Sequence, residues 1–288
     1  ATALADKELP EEVAKLALRH MYAVGRSDGP LAKKLGDAAG VGEEPPPPTE
    51  EEIKQLVAEV ISQGDPARGE AIFRRDDLSC MKCHAVSKAG GDVGPDLSPV
   101  GSSSPPDYLV KSILTPDEAV KEAYLTHIVI TDEGKIYQGI ITDRNDERII
   151  LKEASGEERS IPTASIDDMV EGRSLMPKGL TRFLTRAELV DLVRFLSELG
   201  KPGEYAVRTA ATMQRWRAMA PHDDLLTAGV PDSETFSEQV LSAAPAAWFP
   251  AYGKVAGWLP VAEIAQRLKG TVLYLRGEVD AETGASWL

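Results

Sequence analysis

The segment Cys80-Met81-Lys82-Cys83-His84 holds both cysteines of the 288-residue chain and decides how the rest of the sequence is interpreted. The two cysteines are three residues apart, so a helix would place their thiols about one turn apart on one face. His84 follows directly, which brings an imidazole next to the two thiols. A Cys-x-x-Cys-His spacing is the pattern of c-type haem attachment. We therefore expect one covalent haem c, with thioethers from Cys80 and Cys83 and with His84 on the iron.

Two other interpretations of the cysteine pair stay open. A redox-active Cys-x-x-Cys pair normally follows a strand in a βαβ unit, whereas helix and loop patterns precede Cys80. A zinc site needs about four ligands. The other histidines, which could complete such a site, lie in different segments: His20, His127 and His222.

A haem iron bound by one histidine takes a second axial ligand in electron-transfer proteins, and methionine raises the reduction potential. The chain has six methionines, and Met176 is the best candidate because it lies in a loop just before a predicted helix. His127, in a predicted strand, is the runner-up. An iron with an open sixth position is the third option, and it would indicate a haem enzyme or sensor that handles peroxide or gases.

Helical signals flank the attachment motif. Thr49 and Glu52 have the spacing of a capping box, which predicts a helix over 50–62. Asp65 and Pro66 then have the residue types that start a second helix. After the motif, apolar residues at helical spacing predict a helix over 185–199 and, more weakly, another over 204–219.

Strand signals lie between these helices. Between 124 and 170, short runs rich in β-branched residues are separated by turn sequences, which predicts a small antiparallel β-meander. Near the C-terminus, residues 271–279 have the pattern of a further strand.

Residues 64–200 resemble a class I cytochrome c domain. Gly69 and Phe73 resemble the N-terminal helix of that family, and Leu192 and Phe195 resemble the C-terminal helix that crosses it. The resemblance implies that the two helices meet in the same way here.

The segment Gly94-Pro95-Asp96-Leu97 resembles the family's loop whose proline carbonyl accepts a hydrogen bond from the haem histidine. By this resemblance Pro95 would orient the ring of His84, a supporting role that ligating histidines need. The order of attachment motif, β insertion and Ser-Leu-Met-Pro-x-Gly-Leu loop is more similar still to the haem-binding domain of planctomycete and verrucomicrobial type. That domain occurs in large secreted proteins that often carry dehydrogenase-like domains.

The patterns and the resemblance together predict a mainly α cytochrome c fold with an inserted small antiparallel β-meander. The expected organisation is a helical extension (1–44), a Pro-rich linker (45–49), a cytochrome c domain (50–200) with its insertion at about 124–170, and a C-terminal region (201–288). That last region would hold a helical linker and the start of a truncated, β-rich domain. We expect the chain to be an internal piece of a longer protein.

Composition narrows the function further. The chain has 32 Lys and Arg against 46 Asp and Glu, a formal net charge of −14. This charge argues against nucleic-acid binding, and no uncharged apolar run approaches the ~18 residues of a membrane-spanning helix.

We therefore expect an electron-transfer module rather than an enzyme. It would relay electrons from a redox partner protein or a fused dehydrogenase domain. Because bacteria attach haem c outside the cytoplasm, we expect a periplasmic or otherwise extracytoplasmic location.

Overall fold

The structure is a computed structural model, and it describes residues 9–24, 29–42, 46–118, 120–208, 212–220, 232–270 and 272–277. Of these residues, 41% are helical and 19% lie in strands. None of the described helices is both long enough and apolar enough to cross a membrane.

The first two helices, α1 (Glu11–Ala23) and α2 (Pro30–Ala38), pack against each other through a small apolar cluster of their own. This pair contacts the rest of the molecule through the ring of Phe183, which packs against its apolar cluster, and through an ion pair. Arg19 donates from its Nη1 to both carboxylate oxygens of Glu188, at 2.8 and 2.9 Å. Glu188 in turn belongs to a later helix, so the N-terminal pair lies against the main helical core.

The main helical core is built from α3 (Glu50–Gln63), α4 (Pro66–Phe73), α7 (Pro106–Leu114) and α8 (Arg186–Glu198). The helix boundaries agree with the predicted caps. The capping box at the start of α3 is present, and Asp65 accepts hydrogen bonds from the first amides of α4. A second capping box starts α8. Local sequence signals therefore identified these helices correctly.

The closest helix contact is between α4 and α8. A Cβ added at Gly69 would lie 2.0 Å from the carbonyl oxygen of Asp191 and 2.6 Å from Cβ of Phe195. Beside this contact the ring of Phe195 packs against Phe73 on one side and Tyr205 on the other, with centroid distances of 5.6 and 5.5 Å. Only a residue without a side chain lets these two backbones approach so closely.

Between α4 and α7 the chain forms three short elements around the cysteine motif. The single-turn helix α5 (Cys80–Cys83) is followed by a two-stranded hairpin, β1 (Ala85–Val86) and β2 (Ala89–Gly90). A further helical turn, α6 (Val100–Ser103), leads into α7.

A five-stranded antiparallel sheet follows α7. Its strands are β3 (Thr126–Thr131), β4 (Ile136–Arg144), β5 (Arg148–Lys152), β6 (Glu158–Pro162) and β7 (Ile166–Glu171), in the order β6-β5-β4-β3-β7. Residues of both edge strands join one apolar cluster with Val129, Ile149 and Leu151. The sheet therefore has a core of its own.

The C-terminal part forms a second, smaller sheet. Strands β8 (Arg215–Met219), β9 (Phe249–Tyr252) and β10 (Tyr274–Arg276) pair in the order β10-β8-β9. Two helices, Ser233–Phe236 and Val261–Leu268, accompany them. The loop after β9 docks on α4, because Val255 N–H donates to the buried carboxylate of Glu70 at 2.9 Å and Arg74 donates to the carbonyl of Gly253 at 3.0 Å.

The predicted fold class is wrong. The described residues combine helices with a five-stranded antiparallel sheet and two smaller sheets, so the protein is an α/β protein and not a mainly α cytochrome c fold with a minor insertion. The sequence pattern located the strands of the large sheet, but it underestimated how large a part of the fold they form. Antiparallel pairing turned these short runs into a unit with its own core.

The predicted helix over 204–219 is also wrong: among its described residues, 204–208 and 212–214 are not helical, and the rest form a strand. Residues 215–219 form β8, the central strand of the C-terminal sheet, which pairs with β9 and β10 on its two sides. Pairing on both sides outweighs the weak helical periodicity of this segment. The predicted last strand, 271–279, is present as Tyr274–Arg276, while residues 271 and 278–279 lie outside the described part.

The structure does not test the predicted division into domains. Parts of the helical extension (1–8, 25–28 and 43–44) and the first linker residue, Pro45, lie outside the described residues. Residues 278–288, at the end of the C-terminal region, also lie outside the described residues.

We expect Gly69→Ala to lower the free energy of unfolding by about 3 kcal/mol, because its Cβ would overlap the backbone of α8. Chemical denaturation measures the change. Gly36→Ala is the matched control: Gly36 also lies in a helix, but a Cβ there would have no neighbour within 4 Å, so we expect about 0.5–1 kcal/mol of stabilisation. Equal stabilities for Gly69→Ala and the wild type would refute the close contact.

Candidate functional site

The cysteine motif forms the helical turn α5. Ser79, just before it, has a left-handed backbone with φ of 57°, so the chain turns sharply between α4 and the motif. Both cysteines are free thiols. Cys80 packs against the main helical core. The predicted arrangement of two thiols on one helical turn followed by an imidazole is therefore present.

The ring of His84 is held by a hydrogen bond to the loop that follows. Its Nδ1 lies 2.9 Å from the carbonyl oxygen of Pro95. Since a carbonyl only accepts hydrogen bonds, Nδ1 must carry the proton and Nε2 must carry the lone pair. Among the described residues no hydrogen-bond partner is found for Nε2, so this nitrogen is available as a ligand.

Two glycines bring the loop against the motif. A Cβ at Gly94 would lie 2.7 Å from Cε1 of His84, so the imidazole rests directly on the glycine. A Cβ at Gly91 would lie 2.0 Å from the carbonyl oxygen of Lys82. Backbone hydrogen bonds join the same segments, from Gly91 N–H to the carbonyl of Met81 and from Gly94 N–H to that of Cys83, at 2.9 and 2.7 Å.

Burial keeps the three groups of the motif uncharged. It raises the pKa of Cys80 to about 11 and raises the pKa of Cys83. Burial also lowers the pKa of His84, an effect that the hydrogen bond to Pro95 partly opposes. At neutral pH the site therefore holds two thiols and a neutral imidazole.

This protonation state bears on the alternative interpretations. Redox-active Cys-x-x-Cys pairs rely on a thiol with a lowered pKa, and here burial raises both. A zinc site needs further ligands, but the described part of the chain contains no group of three or more His, Cys, Asp or Glu side chains arranged to hold a metal ion. The raised pKa values of both thiols therefore argue against a redox-active pair.

Met176 lies in the loop between β7 and α8. Its side chain is partly buried against the main helical core, the same core that Cys80 contacts. Its loop is anchored near its start: Met176 N–H donates to Oγ of Ser174, and Ser174 N–H donates to the carboxylate of Asp117, at 3.2 and 3.0 Å. The thioether therefore belongs to an anchored loop that packs on the main helical core.

His127, the runner-up ligand, lies in β3. There its Cα partners are Gly139 of β4 and Glu171 of β7, and its buried Nδ1 has no hydrogen-bond partner among the described residues. The structure therefore places His127 within the sheet, between β4 and β7.

The residues that connect this site to the five-stranded sheet could not be predicted from the sequence. Lys152 at the end of β5 places its Nζ 2.8 Å from the carboxylate of Asp92, in the loop that carries Gly94. The two residues are 60 positions apart, and no motif links them. Gly94 itself belongs to a segment that the family resemblance singled out, but only the structure reveals its contact with the ring of His84.

No protein-family model matches the chain, and no curated protein matches it either. The assignment of the site therefore depends on its own residues and geometry.

We expect iodoacetamide to alkylate Cys80 of the reduced, haem-free protein about 100-fold more slowly in the folded state than in urea. At about pH 8, only about one thiol in a thousand is ionised when the pKa is about 11, against about one in four at the ordinary value near 8.5. Mass spectrometry of the alkylated peptides measures both rates.

Cys83, whose pKa is also raised, is the internal comparison in the same peptide. Rapid alkylation of folded Cys80 at this pH would reveal a stabilised thiolate and favour the redox-active pair instead.

Proposed function

We propose that the chain binds one covalent haem c through Cys80 and Cys83, with His84 and Met176 as axial ligands of the iron, and that it transfers single electrons. Each thiol adds across one vinyl double bond, so sulfur bonds to one carbon, the thiol proton goes to the other, and nothing is oxidised. Bound haem supplies the one-electron chemistry, with iron alternating between its ferric and ferrous states.

The observation that carries the proposal is the hydrogen bond from Nδ1 of His84 to the carbonyl of Pro95, 2.9 Å long. It sets the tautomer that leaves Nε2 free, and it occurs directly beside two neutral thiols on one helical turn. Ligating histidines need such a partner for the opposite ring nitrogen. A buried histidine with a merely structural role has no need of the two adjacent cysteines.

Each residue around the iron would have a separate role. His84 binds the iron, and the Pro95 carbonyl holds the ring in one orientation. Met176 offers a neutral, soft sulfur, which favours the reduced iron and raises the potential. The side chains of Cys80 and Met176 are partly buried against apolar residues of the main helical core, which reduces the access of water to them.

The proposal extends to partners and location. The electrons would come from a redox partner protein or from a dehydrogenase domain in the same polypeptide, and the location would be periplasmic or otherwise extracytoplasmic. The resemblance to haem-binding domains of planctomycete and verrucomicrobial type supports the proposal. It covers the motif, the Pro95 loop and the Met176 loop. It does not extend to the overall fold class.

The test is an absorption spectrum of protein matured with haem, followed by Met176→Leu. We expect the wild type to have a low-spin c-type spectrum with the weak red band of methionine bound to ferric iron. Met176→Leu keeps the packing volume but removes the sulfur, so we expect it to lose that band and to lower the reduction potential.

Met169→Leu is the matched control, because Met169 packs in the core of the five-stranded sheet and should change neither the band nor the potential. A wild type that is already high-spin and binds added ligands readily would exclude Met176 as a ligand. It would then favour a haem enzyme or sensor with an open sixth position. Failure to attach haem to either cysteine would overturn the whole proposal.

A further inference from the structure

One row of residues crosses the five-stranded sheet at the end nearest the candidate site. Ile140 of β4 is the Cα partner of Thr126 in β3 and of Lys152 in β5. Paired residues of neighbouring strands point to the same face, so these three side chains lie side by side. The row is shielded from solvent: Thr126 is 1% and Ile140 7% exposed, and the side chain of Lys152 is 13% exposed.

One end of the row holds the loop that supports His84. Nζ of Lys152 is 2.8 Å from the carboxylate of Asp92 and 3.3 Å from its carbonyl oxygen. The ammonium group therefore binds both the side chain and the backbone of Asp92. The hydrogen bond from Lys152 lowers the pKa of Asp92, which keeps the pair charged. Asp92 lies two residues before Gly94, on which the imidazole of His84 rests.

The other end of the row holds the start of the loop that carries Met176. Oγ1 of Thr126 donates to the carbonyl of Arg173, and Gly172 N–H donates back to the carbonyl of Thr126 at 2.8 Å. These bonds secure the segment three to four residues before Met176, where β7 has ended.

We infer that Thr126 and Lys152 are positioning residues: through the cross-strand row, the inserted sheet fixes the His84 loop and the Met176 loop relative to each other. The inference rests on the proposed function, because it concerns the two axial ligands. It gives the sheet a role in holding Met176 on the iron. Only the ammonium side of this ion pair is shielded, since the side chain of Asp92 is 75% exposed. The carbonyl oxygen of Asp92 gives the ammonium group a second acceptor, which makes the contact stronger than a surface pair with a single acceptor.

The experiment uses the full chain matured with haem, in three variants. Lys152→Met removes the ion pair and hydrogen bond to Asp92 and keeps about the length of the side chain. Lys152→Arg is the conservative variant, because it keeps the positive charge. Lys135→Met is the matched control: Lys135 also pairs with an acidic residue, Glu133, but the two lie in the connection between β3 and β4, and both side chains are more than half exposed.

The measured quantity is the rate at which added imidazole displaces Met176 from the ferric iron, followed by the loss of the red absorption band. We expect Lys152→Met to increase this rate about tenfold, which corresponds to about 1.4 kcal/mol. Lys152→Arg should return to within about twofold of the wild type, and Lys135→Met should equal it. Equal rates for Lys152→Met and Lys135→Met would overturn the inference and leave the proposed function standing.

A second measurement does not need haem. Amide hydrogen exchange of the haem-free full chain reports how firmly the two loops, 91–97 and 172–178, are held. We expect Lys152→Met and Thr126→Val to reduce protection in both loops, and Thr126→Ser, which keeps the hydroxyl, to preserve it. If haem does not attach to the wild type, the proposed function fails. Separately, unchanged protection in Lys152→Met and Thr126→Val would show that the row does not hold the two loops, and would overturn the inference.

Discussion

The close contact of α4 with α8 at Gly69 is the constraint on which the rest of the helical part depends. With no side chain at Gly69, the Asp191 carbonyl and the Phe195 side chain reach the backbone of α4. That approach lets Arg68 form two hydrogen bonds to the buried carboxylate of Asp191, at 2.7 and 3.0 Å. Because α5 follows α4 closely in the chain, the same contact decides where the two thiols and His84 lie.

Around the motif the structure uses short backbone contacts in place of large side chains. The loop with Gly91 and Gly94 lies directly on residues 81–84, which holds the imidazole between glycine and proline. The C-terminal part adds another contact, since Arg215 of β8 donates to the carbonyl of Lys88 at 2.8 Å, in the turn of the β1–β2 hairpin. Elements that are far apart in sequence therefore hold the short segment that carries the chemistry.

The loop that supports His84 and the loop that carries Met176 contact opposite ends of the cross-strand row of Thr126, Ile140 and Lys152. The chain enters the sheet after α7 and leaves it at β7, close to Met176, while β5 reaches back to the loop beside His84. A sheet with its own core is a stiff connection between two such loops. This stiffness gives the insertion a physical role that its sequence pattern did not indicate.

Local features could be predicted from the sequence alone. The Cys80-Met81-Lys82-Cys83-His84 spacing identified the candidate site, capping residues located α3 and α4, apolar periodicity located α8, and the β-branched runs located the strands of the large sheet. Each of these signals acts over a few residues, where backbone preference and capping dominate. Even the contact of Pro95 with His84, 11 positions apart, was implied by a family resemblance and not by the residues alone.

The fold class and the connections of the site could not be predicted, because they arise from contacts between distant elements. The segment 215–219 became a strand because β9 and β10 pair with it from both sides. Lys152 reached Asp92 across 60 positions, and Val255 reached Glu70 across 185. Such pairs depend on where whole elements pack, and burial then strengthens each charged or polar contact. Their residue types carry no signal of the partner, so no local pattern in the sequence could reveal them.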